Sequence, residues 1–147
     1  MSKAEAAEFF TQGMEAMKNG FFDTALEFLE KAVSLDSNPL YCSNLAVCLA
    51  KEKRDFKRAL SLCKEAAKND PRKSIHFLCL GRVHILAGEK KDAIRIFNMG
   101  LRYEDNRSIV AELNKLGVRK EPVIPLLERD NPINKYLGKV LRKRNAR

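Results

Sequence analysis

The chain has 147 residues, enough for one compact domain, and its 45% of hydrophobic residues can form a core, which excludes an intrinsically disordered protein. Its formal net charge is +9, and much of the excess lies in the C-terminal segment KYLGKVLRKRNAR, which holds six basic residues and no acidic residue. No apolar run approaches the roughly 20 residues of a membrane span, and the N-terminal MSKAEAAEFF lacks the apolar stretch of a secretion signal, so we expect a cytoplasmic protein.

Two amphipathic helices are predicted at the start of the chain. In the first, small and apolar residues recur in steps of three and four, as on one face of a helix, at Phe9, Gly13, Ala16 and Met17. The sequence KNG then predicts a helix end, because Gly20 readily takes the left-handed conformation that follows many helices. The second helix is predicted from the small and apolar residues Ala25, Leu26, Phe28, Leu29 and Ala32.

This helix pair recurs along the chain at a constant interval of 34 residues. The positions in register are Ala25, Ala59 and Ala93; Leu26, Leu60 and Ile94; Ala32, Ala66 and Gly100; and Asp36, Asp70 and Glu104. Twice that interval also aligns Phe9 with Phe77, Gly13 with Gly81, and Gly20 with Gly88. Three helix–turn–helix units are therefore predicted over about residues 4–105. The sequences SNP and NDP close units one and two, and we expect Pro39 and Pro71 in the first turn of the next helix.

The pattern resembles the tetratricopeptide repeat (TPR), a 34-residue helix–turn–helix unit. The residues that carry the resemblance are Phe9, Gln12, Gly13, Phe22, Ala25, Leu29, Ala32 and Ser37 in unit one, and Phe77, Leu80, Gly81, His84, Ala93, Phe97, Gly100 and Asp105 in unit three. The resemblance implies an all-α, right-handed α-solenoid. Unit two departs from the pattern because its Leu45-Ala46 pair comes one residue early. Its turn KEKRDF has no glycine, and we predict that it is slightly longer near Lys53 and Arg54.

After unit three, the sequence RSIVAELNKLG predicts a capping helix over Arg107 to Gly117, because the end of a solenoid otherwise exposes its apolar face. The residues suited to this cap are Ile109, Val110, Leu113 and Leu116. We therefore predict a three-repeat domain with its capping helix at residues 1–117. Residues 118–147 are predicted as a proline-containing linker and a basic amphipathic helix, packed on or projecting from the solenoid. The cations of this basic tail are Lys135, Lys139, Arg142, Lys143 and Arg144.

No enzyme motif is present: the sequence has no glycine-rich phosphate loop, no GxSxG and no HExxH. His76 and His84 lie on the first helix of unit three, and we predict that they are packed residues rather than a base or a metal ligand. The four cysteines form no CxxC pair and are predicted to be free thiols used as core residues, namely Cys42, Cys48, Cys63 and Cys79. We therefore expect no catalysis, no cofactor and no metal.

The resemblance to TPR arrays implies a concave groove lined by the first helix of each unit. Its residues here would be Phe10, Met14 and Met17 from unit one, Leu40, Ser43, Asn44 and Val47 from unit two, and Ile75, Leu78, Cys79 and Arg82 from unit three. One TPR subfamily binds the C-terminal carboxylates of chaperones through a Lys/Asn/Asn/Lys/Arg clamp. The corresponding residues here are Phe10, Met14, Asn44, Ile75 and Cys79. Only Asn44 matches, so we predict that this chain has no such clamp.

An apolar groove that contains methionines favours a non-catalytic protein–protein interaction module or scaffold, with an apolar or amphipathic peptide segment as the partner. The sequence leaves several alternatives open. The C-terminal segment could fill the groove itself, or it could mediate a homodimer. The basic C-terminal helix could bind nucleic acid or an anionic membrane. Some bacterial three-repeat TPR proteins are secretion chaperones, which is a further alternative.

Overall fold

The computed structural model describes residues 2–117 together with Lys139. This part of the chain forms seven α-helices: α1 Ser2–Lys18, α2 Phe22–Leu35, α3 Pro39–Cys48, α4 Phe56–Asn69, α5 Ser74–Leu86, α6 Lys90–Tyr103 and α7 Arg107–Lys115. A π-helical turn, Leu49–Lys53, continues α3. There is no strand between residues 2 and 117, so the predicted all-α class is confirmed.

The helices are arranged as three consecutive pairs, α1–α2, α3–α4 and α5–α6, which are the three predicted units. The two helices of each pair contact each other. Successive pairs are stacked, because α2 contacts α3, α4 contacts α5, and α3 contacts α5. The seventh helix packs on α6 with Ile109 and Leu113 buried, as expected of a cap, whereas the side chain of Val110 is 40% exposed and contributes less to that contact than predicted.

Gly13 and Gly81 occupy the same position of the repeat, where the two helices of a pair approach each other closely. A Cβ atom on Gly13 would lie 2.8 Å from Leu29 Cγ, and one on Gly81 would overlap the ring of Phe97. Both opposing side chains are fully buried, so a Cβ atom at either glycine would force them to shift within the packed core. Unit two has Ala46 and Cys63 at the equivalent positions, and both are fully buried. In unit two, alanine in place of glycine on the first helix is therefore accompanied by Cys63 on the second helix, which is smaller than Leu29 or Phe97.

Side-chain caps mark the starts of α3, α4 and α7. Asn38 caps α3 through its side chain and Pro39 is the first helical residue, as predicted. The prediction for Pro71 was wrong, because this residue lies in the loop before α5, which begins at Ser74. The carboxylate of Glu104 accepts hydrogen bonds from the Ser74 backbone N–H at 2.6 Å and from its hydroxyl at 2.8 Å. These contacts fix the first residue of α5 three positions after the proline.

Unit two accommodates its extra residue inside the first helix rather than in the connecting turn. Three residues separate the helices in units one and three, but only Arg54 and Asp55 lie between the π-helical turn and α4. The predicted longer turn is therefore corrected to a π-helical turn, which takes up one residue more than an α-helical turn. As a result, Ala46 and Ala59 both remain fully buried on either side of the insertion.

The cysteines and histidines lie in the packed interior, as predicted. Cys48, Cys63 and Cys79 are buried, and Cys42 is half-buried. Burial raises the pKa of the Cys48 and Cys79 thiols to about 12, so both are neutral at pH 7. The two histidines, His76 and His84, are buried with exposures of 1% and 8%.

Candidate functional site

The residues predicted to line the groove separate into two groups by their exposure. Six are half-buried: Phe10, Met14, Met17, Leu40, Ile75 and Arg82. The other five are buried, namely Ser43, Asn44, Val47, Leu78 and Cys79, with exposures of 0%, 5%, 7%, 3% and 1%. A buried side chain cannot contact a partner unless the core opens. The candidate surface therefore consists of the six half-buried residues, which we call the groove residues below.

Phe10 connects units one and two. Its ring is stacked on Tyr41, with the ring centroids 4.5 Å apart and the planes at 25°. Phe10 and Leu40 also pack against a small cluster around Ala6 and Ala32. Met17 and Ile75 pack against the main core cluster, whereas Met14 belongs to neither cluster. Of the apolar groove residues, Met14 is therefore the one least involved in holding the units together.

Arg82 is the only cation among the groove residues, and it is neutralised from α7. Its Nε donates a hydrogen bond to Glu112 Oε1 at 3.1 Å. The Arg82 side chain is 36% exposed, whereas that of Glu112 is only 14% exposed. Lys115 Nζ lies 3.9 Å from the same carboxylate oxygen. The groove residues are therefore five apolar side chains and one cation that is paired with a carboxylate of α7.

The five positions that correspond to a carboxylate clamp hold neither a charged side chain nor a free amide. The Asn44 side-chain amide donates to the Leu40 carbonyl at 2.9 Å within α3. The Cys79 thiol is buried, and burial raises its pKa to about 12. The remaining three positions are the apolar residues Phe10, Met14 and Ile75. Nothing at these positions can neutralise a terminal carboxylate.

A buried polar network connects units two and three, and the sequence reasoning missed it. Ser43 Oγ lies 2.6 Å from His76 Nδ1, and His76 Nε2 lies 3.3 Å from Asp70 Oδ2. Because a carboxylate can only accept, Nε2 carries the proton, and in the neutral imidazole Nδ1 accepts from the hydroxyl. Ser43 has no exposed surface, so no substrate could reach its hydroxyl. The network satisfies buried polar groups and does not resemble an accessible catalytic triad.

A second polar group surrounds the other histidine. The ligating atoms of His84, Glu89 and Asp92 all lie within 4.8 Å of one another, the one such group of three among the described residues. These atoms already have partners: His84 Nδ1 donates to Glu89 Oε2 at 3.2 Å, and Arg95 donates to Asp92 Oδ1 at 2.9 Å. A cation would have to displace Arg95 and bind at the positive end of α6, so the arrangement is accounted for by these internal contacts.

The predicted basic tail lies largely outside the described residues. Lys135, Arg142, Lys143 and Arg144 belong to the part that is not described, and Lys139 is exposed. Between residues 2 and 117, every helix is too short or too polar to cross a bilayer.

Comparison with known proteins identifies the fold. No family model matches the sequence, and no curated protein matches it significantly. Solved structures do match. The TPR domain of Arabidopsis OM64 has 22% identity and a TM-score of 0.65, covering 80% of this chain and 98% of that domain. The Sgt2 TPR domain from Aspergillus fumigatus has 19% identity and a TM-score of 0.64, covering 89% of this chain and 93% of that one.

The second TPR domain of human RPAP3, in complex with the HSP70 peptide SGPTIEEVD, is also similar, with 24% identity and a TM-score of 0.61 over 82% of this chain and 98% of that domain. These matches confirm the predicted architecture: the chain has the fold of a TPR domain. At such low identities the likeness is evidence for the fold alone.

Proposed function

We propose that this chain is a non-catalytic protein-interaction module that holds an apolar or amphipathic peptide segment against its groove residues. The observation that carries the proposal is the row of half-buried apolar side chains on the first helices, namely Phe10, Met14, Met17, Leu40 and Ile75. Clustered apolar surface that remains partly exposed on a folded domain is typical of a protein-interaction site.

The fold supports this proposal, because similar TPR domains hold peptides. The human RPAP3 domain is in complex with a peptide that ends in Glu-Glu-Val-Asp. The same class of ligand does not suit this chain, since its only groove cation, Arg82, is paired with Glu112. A bound segment would gain its free energy from buried apolar area instead. Burial of one large apolar side chain contributes about 2 kcal/mol.

The groove residues also indicate which kind of segment would fit. Met14 and Met17 have unbranched, flexible side chains, which adapt to irregular apolar surfaces. They lie three residues apart on one helix with Phe10 four residues before Met14, so the three side chains share a face of α1. An amphipathic helix with apolar residues at steps of three and four would present a matching stripe.

A peptide-binding experiment tests the proposal. Peptides are selected from a random displayed library on the full chain, and the best one is labelled and titrated by fluorescence anisotropy. We expect an apolar or amphipathic sequence. The double variant Phe10→Ser/Met14→Lys should weaken its binding by about ten-fold or more, because it removes two large apolar contacts and places a charge on the apolar surface.

The matched control is Met99→Lys, which places the same charge on the exposed face of α6, where Met99 is 36% exposed. We expect this control to bind within about two-fold of the unmodified chain. Circular dichroism verifies that both variants are folded. Equal affinity of the groove variant and the control would refute the proposed site. A selection that yielded only acidic C-terminal sequences would refute the proposed ligand class.

A further inference from the structure

The turn between the two helices of unit two carries a positive charge that the equivalent turns lack. Residues 51–58, KEKRDFKR, hold five basic and two acidic residues. The equivalent segments are 17–24 in unit one and 85–92 in unit three. Residues 17–24 hold one basic and one acidic residue, and residues 85–92 hold two basic and two acidic residues. Unit two alone therefore presents a net charge of +3 at this place, and we call residues 51–58 the basic turn.

The side chains of the basic turn point to water. All eight residues are exposed except Phe56, which is half-buried. Arg58 forms a long ion pair with Glu30 at 3.8 Å, and the Asp55 carboxylate accepts from the Arg58 backbone N–H at 3.2 Å. The other four cations form no ion pair with any described residue. One of the two carboxylates in the segment is thus engaged as a helix cap, and most of the cations have no ion-pair partner between residues 2 and 117.

Arg54 has a strained backbone conformation at a position where the other two units have glycine. Arg54 has φ 52°, and it is the only residue other than glycine with a positive φ among the described residues. The residues 34 positions before and after it, Gly20 and Gly88, have φ 83° and 80°. Glycine adopts this conformation without the steric cost that arginine incurs. Strained backbone of this kind is concentrated at functional sites, and so are π-helical turns, such as the one directly before Arg54.

Two aromatic rings hold cations in place at the basic turn. The Arg54 guanidinium lies 5.0 Å from the ring centroid of Phe56, and Lys51 Nζ lies 5.4 Å from that of Phe22. Such contacts restrict long, flexible side chains and so reduce the entropy that they would lose on binding an anion.

The geometry points to a second binding surface on this domain: the basic turn recognises an acidic segment of a partner protein. A peptide fits better than a nucleic acid for two reasons. The faces of Phe22 and Phe56 already carry cations, so these rings are not free to stack on bases. The carboxylates of Glu52 and Asp55 lie between the cations in the sequence. These carboxylates would repel a continuous phosphate backbone, whereas the discrete carboxylates of a peptide can contact the cations on either side.

The test uses fluorescein-labelled octaglutamate as the probe, titrated by anisotropy into the full chain at about 20 mM and about 200 mM salt. The triple variant Lys53→Gln/Arg54→Gly/Lys57→Gln is compared with Lys64→Gln/Lys68→Gln/Arg72→Gln, which removes the same charge from exposed residues on α4 and the loop after it. We expect the first variant to lose about ten-fold or more in affinity at low salt, and the second to change by less than about two-fold.

Three results would overturn the proposal. Equal losses in both variants would mean that the probe senses only net charge. An unchanged affinity in the basic-turn variant would mean that the probe binds elsewhere, such as the C-terminal cations. Tighter binding of a single-stranded oligothymidylate, lost in the same variant, would assign the surface to nucleic acid. The groove variant Phe10→Ser/Met14→Lys should bind octaglutamate normally, which keeps this proposal separate from the proposed function.

The single variant Arg54→Gly separates binding from folding. Because glycine removes the backbone strain, we expect the melting temperature to rise by about 3 °C while octaglutamate binding weakens. A purely structural role for the Arg54 side chain on Phe56 predicts the opposite, a lower melting temperature with unchanged binding. That result would overturn the inference.

Discussion

Replacing Gly81 by alanine tests how tightly the helices of unit three are packed. Alanine is favoured over glycine within a helix by about 1 kcal/mol. Against this gain, the new Cβ would overlap the ring of Phe97, which has no exposed surface and no room to turn. Overpacking of a core costs about 1–3 kcal/mol, and a rigid ring lies at the upper end of that range. We therefore expect a net loss of about 2 kcal/mol in the free energy of unfolding.

Chemical denaturation followed by circular dichroism measures this loss, and the double variant Gly81→Ala/Phe97→Leu identifies its cause. Leucine is the residue that opposes Gly13 in unit one, and because it is smaller and more flexible than phenylalanine it leaves more room for a methyl group on residue 81. Phe97→Leu alone should cost about 1–2 kcal/mol, because it creates a cavity. If the methyl and the ring compete for the same space, the two changes are coupled, and the double variant should be at least about 1 kcal/mol more stable than additivity predicts.

The matched control is Gly13→Ala, whose Cβ would meet the more adaptable side chain of Leu29 at 2.8 Å. This variant should lose less than about 1 kcal/mol, since helix propensity offsets a small rearrangement. The reasoning would be refuted if Gly81→Ala were as stable as the unmodified chain, or if its effect and that of Phe97→Leu were additive.

Two further predictions concern ionisable groups. Hydrogen bonds from Ser74 lower the pKa of Glu104, so the folded state gains stability from this carboxylate at neutral pH and loses it as the pH falls below about 4.5. Glu104→Gln should therefore lower the melting temperature at pH 7 and converge with the unmodified chain in acid, whereas a gap that persists in acid would point to lost packing. Burial raises the thiol pKa of the cysteines, so a disulfide reagent at about pH 8 should modify only the half-buried Cys42 in the native protein and all four thiols after denaturation. Rapid reaction of more than one thiol in the native protein would contradict the packing described for the core.

The fold could be predicted because its determinants recur. Small residues such as Ala25, Ala59 and Ala93 return once in every unit, since each unit meets the same packing constraint. The place of the extra residue in unit two could not be predicted, because composition alone does not say whether a helix or a turn contains it. The structure places it in the helix, where Arg54 then takes the position held by glycine in the other two units.

The candidate site was less predictable. The resemblance located the groove positions, but it could not show that Leu78 is buried by its neighbours whereas Met14 is only half-buried. Exposure at such positions depends on the side chains of the adjoining unit. The Ser43–His76 contact joins residues 33 positions apart. Polar residues at interior positions of successive first helices were a visible signal, yet only side-chain geometry shows that they meet.

The contacts between units also fix the order in which the units can follow one another. Phe10 and Ser43 occupy the same position in units one and two, and Tyr41 and His76 occupy a second position in units two and three. Phe10 contacts Tyr41 at the first junction, and Ser43 contacts His76 at the second, so the same two positions are joined by different chemistry. One junction is an aromatic stack and the next is a hydrogen bond between a hydroxyl and an imidazole. If units were duplicated or exchanged, Ser43 would face a phenol and Phe10 an imidazole, and buried polar groups would lose their partners. Copying a unit should therefore destabilise this array, whereas arrays of identical consensus repeats keep the same contacts at every junction.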